Sequence, residues 1–231
     1  MKKSVFFVSI LALAVWGAAC TQTANNGNAT ANHGGMNHNS MAHGNSTMNH
    51  NGMPMNGNHN MSGTTGEMKS DPNAVSQPYD LQFIDTMTHH HEGAIEMAQM
   101  VLGKTQNDEL KKFAQKIIDD QKQEISQMKE WRDKWFGGKP PAKNMEMPGM
   151  MDSMKMMSGD HMKMMGAMSG KDFDLHFLGM MTPHHEGAVM MAKDALQKAE
   201  HAEIKTLANN IIKAQESEIK KMNDWKAAWA K

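Results

Sequence analysis

The motif His-His-Glu-Gly-Ala occurs twice, at residues 90–94 and 184–188, and the sequence around it repeats in register. At an offset of 94 residues, Asp80–Trp135 aligns without a gap on Asp174–Trp229, with 25 identical pairs in 56 positions. This is an internal duplication. It means that whatever one copy folds into, the other folds into as well. It also means that one chain reports twice on which residues are kept. The kept set includes an unusual polar group: two adjacent histidines with methionines on either side.

The period inside each copy is helical. At 100° per residue, Phe83, Met87, His90, His91, Ala94, Met97, Ala98 and Val101 fall within an arc of roughly 120°. His89, Glu92 and Glu96 fall outside it, as does Glu186 in the second copy. The pattern predicts a helix over about 79–102, stopped by Gly103. A second stripe follows over about 108–135: Leu110, Phe113, Ala114, Ile117, Gln121, Glu124, Ile125, Met128, Trp131 and Trp135. The short connection predicts antiparallel neighbours. The second copy predicts another such pair, about 173–198 and 202–230. Pro183 lies inside the third helix, where a kink or a restart is expected. The fold class is therefore all-α, two duplicated helical hairpins, with repeat 1 at 79–136 and repeat 2 at 173–231.

Much of the remaining chain reads as unable to form a core. Residues 1–19 resemble a signal peptide, with Lys2 and Lys3, an apolar run from Val5 to Trp16, and Gly17-Ala18-Ala19 before the only cysteine, Cys20. A cysteine there resembles the attachment site of a bacterial lipoprotein, although Gly17 stands where leucine is usual. Ordinary cleavage after Ala19 is the alternative. Either outcome places the mature protein outside the cytoplasm, in the periplasm or cell envelope. No later segment has the ~20 apolar residues that span a bilayer, so membrane contact is expected only through a lipid on Cys20. A single cysteine offers neither a disulfide nor a thiolate metal site in the folded part.

Residues 20–78 are rich in Asn, Gly, Ser, His and Met, and read as a disordered tether. They carry a recurring Met-x-His unit: Met36-Asn37-His38, Met41-Ala42-His43 and Met48-Asn49-His50. Residues 137–172, between the repeats, read as a Met-rich linker broken by Gly137-Gly138, Pro140-Pro141 and Pro148-Gly149, with a short helix around 150–166. The net charge of −1 gives no basic footprint for nucleic acid. The 28 methionines against 7 phenylalanines and 1 tyrosine exceed what core volume alone would ask, because Met specifies packing poorly.

The inward residues of each repeat carry a particular chemistry. His90, His91, Met87 and Met97 recur as His184, His185, Met181 and Met191. Met87 and His91 stand one above the other at i,i+4, and His90 and Met97 share a stripe at i,i+7. Imidazole and thioether are the donors favoured by Cu(I); imidazole alone also serves Cu(II), zinc or nickel. Core filling by the methionines and satisfied core histidines are the plain alternative. The second helix of each repeat sets Gln121 and Glu124, and again Gln215 and Glu218, within an apolar stripe. A buried carboxylate needs a partner. A histidine N–H from the neighbouring helix would orient a metal ligand; an internal hydrogen-bonded pair serving only packing is equally open. The tryptophans near the helix ends suit bundle closure.

The pattern Asp-Leu-x-Phe-x-x-x-Met-Thr, then His or Pro, then His-His-Glu-Gly-Ala-x-x-Met-Ala, followed by Gln121-x-x-Glu124-Ile125-x-x-Met128, resembles the ferritin-like family catalogued as domain of unknown function 305. The resemblance covers about residues 79–230 and rests on both copies of the motif. The first copy departs at His89, where proline is frequent. The resemblance implies a four-helix bundle and copper binding through His and Met, as in the family's periplasmic copper-resistance members. The function expected is an extracytoplasmic protein that sequesters or carries Cu(I), or silver, with metal ions and other copper-handling proteins as partners. A ferritin-like di-iron enzyme is the rival. That chemistry uses Glu-x-x-His pairs, and no histidine here has Glu three positions before it. The third reading is a metal-free bundle on a tether. No catalytic residue is expected.

Overall fold

A computed structural model describes residues 69–231. The signal sequence, Cys20 and the Met-x-His units lie outside them. Six helices follow one another: α1 Tyr79–Lys104, α2 Asp108–Phe136, α3 Met150–Met156, α4 Gly159–Ala167, α5 Gly170–Lys198 and α6 Ala202–Trp229. The described residues contain no strand. The long helices α1, α2, α5 and α6 form the bundle, and none of the helices is long and apolar enough to cross a membrane.

Each hairpin forms where the sequence stripe and the stop signals agree. Asn107 begins α2, its side chain accepting hydrogen bonds from the N–H groups of Glu109 and Leu110. These are two of the donors a helix start leaves unmet. The start of α6 is met differently, from the other hairpin. Asp80 of α1 accepts from the backbone N–H of Glu200 at 3.0 Å and of His201 at 2.8 Å, and from His201 Nδ1 at 2.5 Å.

Such cross-links fix how the two hairpins stack. The start of α1 touches the end of α5, since Tyr79 donates to Asp194. The end of α1 touches the start of α5, where Lys104 lies over the Phe173 ring. Phe113 meets Trp225, and Trp135 stacks on His201 at 3.8 Å. The pairs α1/α5 and α2/α6 are therefore both antiparallel. The two repeats are related by a pseudo-twofold axis on which equivalent residues meet.

Two sequence expectations are corrected. The first concerns the Met-rich parts: helix is present around 150–166 as expected, in two pieces, but the segment read as a linker is part of the core. The connection between the repeats holds α3 and α4, and Met145, Met147, Met150, Met154 and Met165 are buried in the core. Its first stretch is pinned to α1: Ala142 N–H donates to Asp85, which also pairs with Arg132, and Asn144 N–H donates to Thr86 Oγ1. Residues 69–78, read as the end of the tether, join this edge. Asp71 exchanges hydrogen bonds with Lys143, and Ala74 is buried in a short 3-10 turn. The second is that, of the kink or restart expected at Pro183, the restart does not occur: α5 continues as one helix. Proline removes the N–H that would reach the carbonyl of Gly179 and its ring crowds that carbonyl, so the helix runs through this turn with one hydrogen bond fewer.

Candidate metal centre

The histidines of the duplicated motif meet where the twofold axis crosses the bundle. His90 of α1 and His184 of α5 are fully buried, with ring centroids 3.9 Å apart and planes tilted by 40°. They occupy the same position in the two repeats. Their neighbours His91 and His185 are also fully buried, with centroids 6.2 and 6.4 Å from the respective partner rings. Successive helical residues point about 100° apart. While His90 and His184 face each other across the axis, His91 and His185 therefore turn toward the second helix of their own hairpin.

There each meets a carboxylate. His91 Nε2 lies 2.7 Å from Glu124 Oε2, and His185 Nε2 lies 3.0 Å from Glu218 Oε2. Of the two arrangements open in the sequence, the structure has the imidazole–carboxylate one. Burial alone would raise the Glu218 carboxyl. The hydrogen bond from His185, helped by Lys116 at 3.3 Å, outweighs it and holds the group below its ordinary value. An ionised carboxylate only accepts, so Nε2 is the nitrogen that donates to it, and in the neutral tautomer Nδ1 is the lone pair left for a metal.

Those lone pairs are not used elsewhere. Nδ1 of His91 and of His185, and both ring nitrogens of His90 and of His184, are buried without a hydrogen-bond partner. Burial pushes the His90 and His184 imidazoles well below the ordinary histidine range. Their histidine neighbours push the same way, and the His184 backbone opposes only weakly at His90. Both rings are neutral. An unmet buried polar group costs about 1–3 kcal/mol, and here the same residues leave such groups in both repeats. The side-chain oxygens of Gln121 and Gln215 are also buried without a donor.

The four methionines of the expected set are fully buried in two core layers. Met87 and Met191 belong to one, Met97 and Met181 to the other, and the histidines fall between them along α1 and α5. Glu92 and Glu186 point to solvent. Among the described residues, no three His, Cys, Asp or Glu side chains converge to hold an ion. Neither the carboxylate cluster of the di-iron reading nor a site of three imidazoles is thus assembled there. What the centre offers is neutral nitrogen, with thioether sulfur in the layers on either side.

Two glycines of the motif control how closely the centre is covered, and periodicity alone did not single them out. A Cβ built on Gly187 would fall 1.8 Å from Ser153 Oγ and 2.6 Å from the Gly149 carbonyl oxygen. Gly149 itself has φ +79, a backbone state that suits glycine. The start of α3 is thereby laid directly on α5, and Ser153 Oγ donates to the Gly149 and His184 carbonyls at 2.8 and 3.2 Å. Gly187→Ala should destabilise the protein by about 2 kcal/mol, because backbone rather than a flexible tip must move. Chemical denaturation would measure this, and a loss below about 0.5 kcal/mol, the size of an ordinary surface change, would refute the close packing. The retained glycine was the available sequence signal. Ser153 and Met157, which covers the other glycine, had none, standing in a run of similar residues.

Comparison with known proteins adds the following. Residues 80–226 match the family model described as Domain of unknown function (DUF305). No curated protein matches significantly. Solved structures do. CopM in its Cu(I)-bound form is 38% identical, with a TM-score of 0.54, covering 66% of this chain and 99% of its own. CopM soaked with silver is 37% identical at 0.54, over 66% and 98%. A DUF305 protein of Streptomyces coelicolor, inferred to be secreted, is 33% identical at 0.58, over 65% and 92%.

Proposed function

The chain belongs to the DUF305 family, and we propose that it is an extracytoplasmic copper-binding protein that sequesters or carries Cu(I), or silver, and so contributes to metal resistance. One observation carries the reading. Fully buried imidazoles lie at the bundle centre, with both nitrogens of His90 and His184 and Nδ1 of His91 and His185 unpartnered, while a carboxylate holds Nε2 of the latter two. A protein needing only packing would place apolar side chains there, without the cost of unmet polar groups. The proposed ligands are His90, His91, His184 and His185, no more than two of them on any one ion. Glu124 orients His91 and Glu218 orients His185, and Met87, Met97, Met181 and Met191 supply the soft surroundings that favour Cu(I) over Cu(II). The copper- and silver-bound forms of CopM support the choice of metal. Cys20 is the proposed lipid attachment point, and the Met-x-His units before residue 69 are proposed to capture metal weakly.

The double change His184→Ala, His185→Ala tests the assignment. It should remove one discrete high-affinity Cu(I) site, read by competition against a Cu(I) chelator, with little loss of helical circular dichroism. A chain beginning at Lys69 should keep that site, because it keeps the Asp71–Lys143 edge. If the double variant bound as much Cu(I) as tightly as before, the histidines would be structural.

A further inference from the structure

The two faces of the histidine centre are covered unequally, although the repeats that build it are alike. On the Gly187 face, backbone and Ser153 seal the helix. On the Gly93 face, the covering group is a methionine tip. A Cβ built on Gly93 would fall 3.3 Å from Met157 Cε, 3.5 Å from Met157 Cγ and 3.5 Å from His184 Nε2. Glycine at this position thus leaves one small gap, bordered by a thioether on one side and an imidazole nitrogen on the other. His184 is fully buried and Nε2 has no hydrogen-bond partner. Met157 follows the last residue of α3, is half-buried, and packs against both core layers.

We propose that Met157, from the segment joining the two hairpins, gives its thioether to a metal ion held on His184 Nε2, through the gap that Gly93 leaves in α1. This rests on the histidine reading above and adds a ligand and a direction of access to it. The chemistry is additive: two neutral donors, one nitrogen and one sulfur, bind a monovalent soft cation without releasing a proton. The thioether is flexible about its terminal bonds and the residue is only partly buried, so it can turn toward an ion in the gap. The Gly187 face has no equivalent, because a hydroxyl and a carbonyl fill that place.

The test uses the full chain loaded with half an equivalent of Cu(I), so that the tightest site fills first, and reads the ligands by copper X-ray absorption. Wild type should show nitrogen together with one sulfur. Met157→Leu keeps the volume and removes the sulfur. It should lose that sulfur signal and bind Cu(I) at least about tenfold more weakly, with an unchanged unfolding midpoint. Gly93→Ala should weaken Cu(I) binding too, while the helix becomes no less stable. Wild-type copper bound by nitrogen alone would overturn the role of Met157 and leave the histidine site standing. A sulfur signal undiminished in Met157→Leu, or unchanged affinity in both variants, would also overturn it. Copper bound by sulfur alone in wild type would instead defeat the histidine reading itself.

Discussion

Replacing both His90 and His184 by leucine should make the metal-free protein more stable, by about 3 kcal/mol. The two rings are fully buried, and each leaves both nitrogens without a partner. Leucine fills a similar volume and has no polar group to strand, so the unmet donors and acceptors disappear with little new cavity. The same variant should lose the stabilisation that a bound ion supplies. A ligand present at a thousand times its dissociation constant adds about 4 kcal/mol to a native state that alone binds it. The order of stabilities should therefore reverse: the variant unfolds later than wild type without Cu(I), and earlier with it. Denaturant titrations under a Cu(I) chelator and under buffered Cu(I) would show this. Histidines retained only for packing predict the opposite sign without metal.

The stability of the metal-free protein should also rise as pH climbs toward about 6.5. Burial, with the neighbouring histidines, lowers His90 and His184 well below the ordinary range in the folded state. In the unfolded chain they return to about 6.5. Between those limits the unfolded state holds more protons, so acid favours it. The contribution is complete above about pH 6.5 and is lost as pH falls. Each ring adds a slope of up to about 1.4 kcal/mol per pH unit, and the two together up to about 2.7. Glu218 acts in the same sense at the acid end of the range, because its folded carboxyl is also lowered, by His185 and Lys116 against the opposing effect of burial. The leucine double variant should lose most of the slope above pH 5. Equal slopes in the two proteins would show that the rings protonate in place.

Much of this architecture is legible in the sequence, for reasons tied to particular residues. The stripes through Phe83, Met87 and Ala94, and through Leu110, Ile117 and Met128, are wide enough to be read as helices, and each lies in the core as the period requires. The adjacency of His90 and His91 places both on the inward arc, and their separation of one helical step sends them to different partners. The stacking of the hairpins was not legible. It depends on contacts such as Asp80 with His201 and Phe113 with Trp225, which span long stretches of chain. Composition misread the connection between the repeats for a related reason. Its prolines and glycines resemble a linker, but Asp85 and Thr86 capture its backbone, and Met145, Met150 and Met165 fill core space. Periodicity puts Met87 and Met97 on the inward face equally well as filler or as ligand. The same limit hid Met157, whose placement follows from the path of α3 across α5 rather than from any pattern around it.

Metal held by the paired histidines would be visible directly in a crystal. The most direct measurement is the anomalous X-ray scattering of crystals grown with one equivalent of silver or Cu(I). The strongest peak is expected inside the bundle, within bonding distance of a nitrogen of His90, His91, His184 or His185. A strongest peak on surface methionines such as Met151, Met164 or Met190, with the four imidazoles uncoordinated, would contradict it.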